Sequence, residues 1–213
     1  MNPLRTAALF CLIGLLLIGC ASPAVDLGRS PNAASPDDYG ACFETWSRDV
    51  RIMPWNGLEN YLTARVTYLS YRFRDAYIAR KAKDMGLSAA DRERAVAEQA
   101  AASDAGHEFF VTLMSAVDDL DDLDPETGAW TLRLVNDRGE EIAPDLVEEV
   151  DNPTPHEQKY FSFNPAFRKA YRIRFPFSEP NGAPLISGNT RFFELTFATA
   201  YGRGVARWDI LSR

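Results

Sequence analysis

From residue 49 onward the chain repeatedly falls into a two-residue rhythm, and that rhythm restricts it to folds built mainly from short β-strands. Val50 and Ile52 alternate with Asp49 and Arg51, and Leu62, Ala64, Val66 and Tyr68 alternate with Thr63, Arg65 and Thr67. Successive side chains of a strand point to opposite faces, so each such segment buries one face and wets the other. The pattern returns at Phe109, Val111 and Leu113, at Trp130, Leu132 and Leu134, and at Tyr171, Ile173 and Phe175. Asn136-Asp137-Arg138-Gly139 reads as a tight turn into a short strand at 140–143. A further strand is expected near 158–163, after the loop Asn152-Pro153-Thr154-Pro155. The last two strands, 190–200 and 205–212, flank Tyr201-Gly202-Arg203-Gly204, which reads as a hairpin turn, and Phe193, Leu195, Phe197, Trp208 and Ile210 should face the core.

The rhythm breaks at Ser70, a good N-cap for a helix over 71–85. Tyr71, Ile78, Ala82 and Met85 share one face of it, with Phe73 and Tyr77 alongside, and Gly86 supplies a left-handed end. Ser88-Ala89-Ala90-Asp91 resembles a capping box and opens a second helix to Ala105. That helix is rich in alanine and poor in large apolar side chains, so propensity rather than packing should hold it, at the periphery. Eight or nine short strands at this spacing predict a mainly β protein, an immunoglobulin-like β-sandwich with an inserted two-helix hairpin at 70–106. The alternative is an α+β fold with the helices on one sheet.

The N-terminus carries a different signal. Arg5 precedes an unbroken apolar run from Ala7 to Ile18, closed by Leu17-Ile18-Gly19-Cys20. The run is shorter than the roughly 20 residues a spanning helix needs. It resembles a bacterial lipoprotein signal peptide with its lipobox. The resemblance implies cleavage before Cys20, removal of residues 1–19 as a signal peptide, lipidation of the Cys20 thiol and acylation of the new N-terminus. Ala21 and Ser22 follow the cysteine. In enteric lipoproteins retained at the inner membrane Asp is common there, so the resemblance further implies an outer-membrane location facing the periplasm. Residues 20–42, rich in Ala, Ser, Pro, Gly and Asp, read as a lipidated cysteine followed by a flexible tether, with one ordered domain over 43–213.

Loss of residues 1–19, with Arg5, leaves 22 basic and 30 acidic residues, a net charge of −8. Phosphate neutralisation needs a basic surplus, so the balance argues against a nucleic-acid partner. Cys11 leaves with the signal peptide and Cys20 takes lipid, so Cys42 is the one remaining thiol and no internal disulfide can form. Cys42 has no histidine near it in sequence and is expected to act as a small, half-buried apolar residue.

Charge is laid out in blocks: net +4 over 65–94, net −11 over 118–151 and net +5 over 152–213. Such a dipolar surface can orient a partner or an anionic envelope polymer. Arg72, Arg74, Arg80, Lys81 and Lys83 make the helical hairpin the most basic surface element and a candidate partner-binding patch. The acidic run Asp118, Asp119, Asp121, Asp122 and Asp124 offers carboxylates suited to calcium, although the glycine and terminal glutamate of an EF-hand are missing; the bland alternative is a solvated loop with Leu120 and Leu123 tucked down. His107 and His156 stand alone, without the cluster a zinc site requires. No nucleophile motif or phosphate-binding loop occurs, so no cofactor and no catalytic residue is assigned. The expectation is a non-catalytic, membrane-anchored envelope lipoprotein that binds or assembles with an envelope complex. Two rivals stand beside it, an envelope glycan hydrolase with an unpaired set of carboxylates and a calcium-stabilised structural lipoprotein.

Overall fold

The structure, a computed structural model, describes residues 23–28, 35–54, 59–180 and 182–211. The signal segment, Cys20 and most of the turn after Pro54 lie outside the described residues. The described chain is mainly β and forms two antiparallel sheets. One has five strands in the order β1 (Ser47–Ile52), β2 (Leu62–Tyr68), β3 (His107–Met114), β7 (Lys169–Phe175) and β6 (Leu146–Glu149). The other has four, β5 (Glu141–Ile142), β4 (Thr131–Asn136), β8 (Phe192–Thr199) and β9 (Gly202–Asp209).

The alternating residues explain how the sheets meet. Register places Ala64 opposite Leu113, Val66 opposite Val111 and Tyr68 opposite Phe109, all buried on the inner face of the larger sheet. Phe193, Leu195 and Phe197 of β8 and Trp208 of β9 project from the other sheet to meet them. The ring of Tyr68 lies 5.2 Å edge-on to Phe193, and Phe109 lies 5.6 Å from Trp208. Burying an aromatic ring of this kind contributes about 2–3 kcal/mol, so these rings are a main source of cohesion. Close approach at one edge depends on glycine. A Cβ on Gly204 would stand 2.5 Å from Cγ1 of Val50 and 2.9 Å from Cγ1 of Ile52. The expected turn at Gly202-Arg203-Gly204 is therefore corrected to the start of β9, whose two glycines let it slide in against β1.

The helices lie on the outer face of the five-stranded sheet. Helices α1 (Tyr39–Trp46), α2 (Tyr71–Met85) and α4 (Pro155–Tyr160) meet there through Tyr39, Phe43, Phe73, Tyr77 and Tyr160. Phe161, just past α4, stacks on Phe110 of β3 at 3.8 Å and carries that aromatic layer down onto the sheet. Helix α3 (Ala89–Ala105) buries Ser103 and otherwise lies at the periphery. Ser70 and Ser88 cap α2 and α3 at the amides of Phe73 and Asp91, and Gly86 ends α2 at φ 61°.

Three further expectations need correcting. The tether over 20–42 is partly built into the body: Val25 is 1% exposed, pairs in parallel with Ile210, and exchanges bonds with Asp209 and Leu211. Order also starts earlier than 43: Tyr39 of the same stretch joins Phe43 and Trp46 at helical spacing on the buried face of α1. The strand expected at 158–163 is helix α4, because Thr154 and Glu157 form a reciprocal capping box around Pro155 at the first helical position. Finally, α2 buries Phe73, Arg74, Ala76, Ile78 and Ala79, while Met85 is exposed, so its inner face is rotated from the one expected. Strand β6 is a largely exposed edge whose residues show little alternation, so its sequence carries no strand signal.

Candidate functional site

The helical layer covers only part of the outer sheet face. Beside it, where β1, β2 and β3 present Asp49, Arg51, Thr63, Arg65 and Thr112, the face opens into a depression of about 460 Å³. Ser162 and Arg168 form its opposite wall and also belong to an adjoining depression of about 470 Å³. The second lobe is completed by Gln158, Lys159, Phe163, Asn164 and Phe167. Together the lobes form an open, two-part groove between the strands and the 158–168 segment.

The wall owes its shape to the end of α4. Ser162 adopts φ 52°, and the amide of Phe163 reaches back to the carbonyl of Gln158 at 3.1 Å. That is the Schellman arrangement, in which glycine is the usual left-handed residue; serine holds the place here at a small conformational cost. The reversal buries Phe163 and sends the chain past Asn164, whose carbonyl accepts from the amides of Phe167 and Arg168. Phe167 is left 73% exposed at the rim, and Arg168 is turned toward β1.

Charge in the groove is unbalanced. Arg65 donates to both Asp49 carboxylate oxygens, Nε at 2.8 Å and Nη2 at 2.9 Å, and its guanidinium lies over the Phe43 ring at 5.6 Å. The Arg65 hydrogen bonds hold the Asp49 carboxyl below its ordinary range, with Arg168 and Arg51 adding to the effect by their charge. The guanidiniums of Arg51 and Arg168 have no hydrogen bond or ion pair among the described residues. Arg65 also lies 3.5 Å from the Glu44 carboxylate outside the groove, so it is neutralised, and Arg51 and Arg168 carry the surplus charge. That arrangement suits recognition of an anion. It does not supply the carboxylate pair that glycoside hydrolysis requires, because Asp49 is the one acid lining either lobe.

The basic patch expected on the helical hairpin is dispersed. Arg74 is 3% exposed and is a core group, not a surface one: it donates to the Leu69 carbonyl at 2.8 Å and the Glu108 carboxylate at 2.6 Å, and also bonds Gln99. Arg80 pairs with Asp84 at 3.0 Å, Lys83 with Asp37 at 2.7 Å, and Arg72 lies 3.9 Å from Asp26. Lys81 sits over the Tyr77 ring at 5.9 Å. The charges were legible in the sequence, as was the Arg80–Asp84 pair four residues apart on one helix; the partners of Arg72, Arg74 and Lys83 were not, because they come from other segments.

The acidic run folds on itself. Leu120 and Leu123 are buried, and Trp130 donates its indole N–H to the Leu120 carbonyl at 2.9 Å. Asp121 pairs with Lys169, Asp122 accepts from the Asp124 amide and the Thr127 hydroxyl, and Asp124 accepts from the Glu126 amide. Asp118 and Asp119 are exposed beside them. Among the described residues, no three metal-ligating side chains gather here or elsewhere. Cys42 is half-buried, and burial pushes its thiol up to about 11, well away from a reactive thiolate. His107 is buried, with Nδ1 3.0 Å from the Tyr68 hydroxyl and its ring edge-on to Phe177 at 4.9 Å.

Asp49, Arg51 and Arg65 were placed by alternation on the solvent side of β1 and β2. What the sequence did not reveal is that Ser162, Phe167 and Arg168 fold over them from about a hundred residues away. The basic surplus over 152–213 was the one trace of that wall.

No family model and no curated protein matches the chain. It is similar to a solved structure described as a novel protein of unknown function from Burkholderia pseudomallei, at 9% identity over 86% of this chain and 93% of that one. The TM-score is 0.39, and a likeness at that level carries no argument.

Proposed function

We propose that this chain is a lipid-anchored protein of the bacterial envelope that acts as a non-catalytic binding or assembly module. The observation that carries the binding reading is the two-lobed groove, open to solvent, where the Arg51 and Arg168 guanidiniums have no partner among the described residues. The anchor rests on Leu17-Ile18-Gly19-Cys20 behind its apolar run. Lipidation at Cys20, with the signal peptide removed, would hold the domain on a membrane without spanning it. The outer membrane, facing the periplasm, is the location we assign, from Ala21 and Ser22 after the cysteine.

We read the body as an immunoglobulin-like sandwich. Supporting this is strand order: β2-β3-β7-β6 follows the A-B-E-D order of such domains, and β5-β4-β8-β9 follows the order C′-C-F-G. Strand β1 is then an extra edge strand, and α2 and α3 fill the connection between the first two positions.

Metabolic labelling with palmitate, followed by affinity purification of the full chain from its own membranes, tests both halves. Wild type should take up label and Cys20→Ser should not; an unlabelled wild type overturns the anchor. A stoichiometric envelope partner should accompany wild type and be lost from Arg51→Glu/Arg168→Glu. No such partner, or one that survives the charge reversal, overturns the groove as its docking surface.

A further inference from the structure

The groove also indicates what kind of group it takes. An arginine that lines a concave surface and has no carboxylate partner among the described residues keeps its guanidinium donors available to a ligand. Two of them, Arg51 and Arg168, stand on opposite walls of the first lobe, one from β1 and one from the segment after α4. Between them lies the Asp49–Arg65 fork, which already shows a guanidinium holding a planar carboxylate through two bonds at 2.8 Å and 2.9 Å. Thr63, Thr112 and Ser162 place hydroxyl-bearing side chains around the same space.

The lobe's own geometry points to a carboxylate. The Asp49–Arg65 fork shows a flat, two-oxygen group already held there by parallel N–H donors. The groove's length decides between a lone ion and a chain. Two joined lobes of about 460 Å³ and 470 Å³ exceed the space any single carboxylate fills. The second lobe changes character: Lys159 is already paired with Asp84 at 2.9 Å, and the exposed Phe167 ring and the amide-bearing Gln158 and Asn164 dominate. An acidic group in the first lobe and an apolar or amide-bearing stretch in the second describe a peptide.

We propose that the groove binds an extended acidic peptide segment of a partner protein, with a Glu or Asp carboxylate clasped between Arg51 and Arg168 and a following side chain laid against Phe167. The inference rests on the binding-module reading and names its ligand chemistry.

The test uses the full chain in detergent and a rhodamine-labelled peptide of alternating glutamate and serine, read by fluorescence anisotropy. Binding should be saturable and fall with added salt, and the peptide with glutamine in place of glutamate should bind at least about tenfold more weakly. Arg51→Gln and Arg168→Gln should each weaken binding about tenfold, the usual cost of removing one charge-assisted contact. Arg203→Gln, on the exposed face of β9, should change nothing. Equal binding of the glutamine peptide, or unchanged binding by both groove variants, overturns the proposal. Displacement of the peptide by inorganic phosphate at a concentration where acetate has no effect overturns the carboxylate assignment. A membrane partner captured equally by wild type and the groove variants would leave the module reading standing and remove this one. Arginine-dependent peptide binding with no captured partner would do the reverse.

Discussion

At the scale of single residues, the outstanding case is Arg74. It was expected at the surface, and it lies instead under α3, bridging Leu69, Gln99 and Glu108. Glu108 passes the connection on to Arg172 at 3.4 Å, and Arg172 to Glu157 at 2.8 Å, so α2, β3, β7 and α4 are joined through one chain of charges. Removing Arg74 takes the shorter of the two ion pairs from Glu108, leaving Arg172 at 3.4 Å, and strips the Leu69 carbonyl of its guanidinium donor. Arg74→Met should therefore cost about 3 kcal/mol of stability in urea unfolding, whereas Lys81→Met, on the same helix, should stay within about 0.5 kcal/mol. Nothing in the local sequence separates these two cations. Arg74 sits one turn from Ile78 and so falls on the inner side once α2 is rotated onto the sheet, but the carboxylate that makes its burial tolerable lies thirty-four residues away on Glu108.

At the scale of elements, the sequence was most informative where period and caps agree. Strands β1, β2, β3, β4, β7 and β8 follow from alternation, because each buries one face on the same inner layer. Helices α2 and α3 follow from Ser70, Ser88 and Gly86. It was least informative where an element is short. Helix α4 has six residues, too few for a helical period to outvote the apolar Tyr160, Phe161 and Phe163, which suggest a strand. Its capping box was the better guide. Thr154 accepts from the Glu157 amide at 3.2 Å, while its own amide donates to the Glu157 carboxylate at 2.9 Å. Loss of that reciprocal cap in Thr154→Ala should lower stability by about 1 kcal/mol, measured by chemical denaturation. Because Ser162 and Arg168 hang from the far end of α4, the groove depends on an element that the strand rhythm alone would have misread.

At the scale of the whole molecule, acid should loosen the fold through His107. Burial lowers its pKa from 6.5 to about 4, so the folded chain keeps the ring neutral where the unfolded chain would protonate it. Between those values the unfolded state binds the additional proton, and stability falls as pH falls; above 6.5 the contribution is complete. Moving from about pH 7 to about pH 5 should cost about 2 kcal/mol, and His107→Gln should flatten that decline while leaving the carboxylate losses at lower pH in place. The architecture was largely written in the alternation, and the groove was not, since it arises where two distant stretches meet. The seat of Val25 on Ile210 has a mechanical consequence as well. Were Cys20 lipidated as proposed, five peptide steps would separate it from Val25, a leash of roughly 17 Å at full stretch. A domain of this length is about 40 Å across. A body on a leash shorter than its own width would swivel about one corner and present the same hemisphere outward. Any partner would then have to come within about 60 Å of the bilayer to meet it, and the proposed anchor would serve as a ruler as much as a tether.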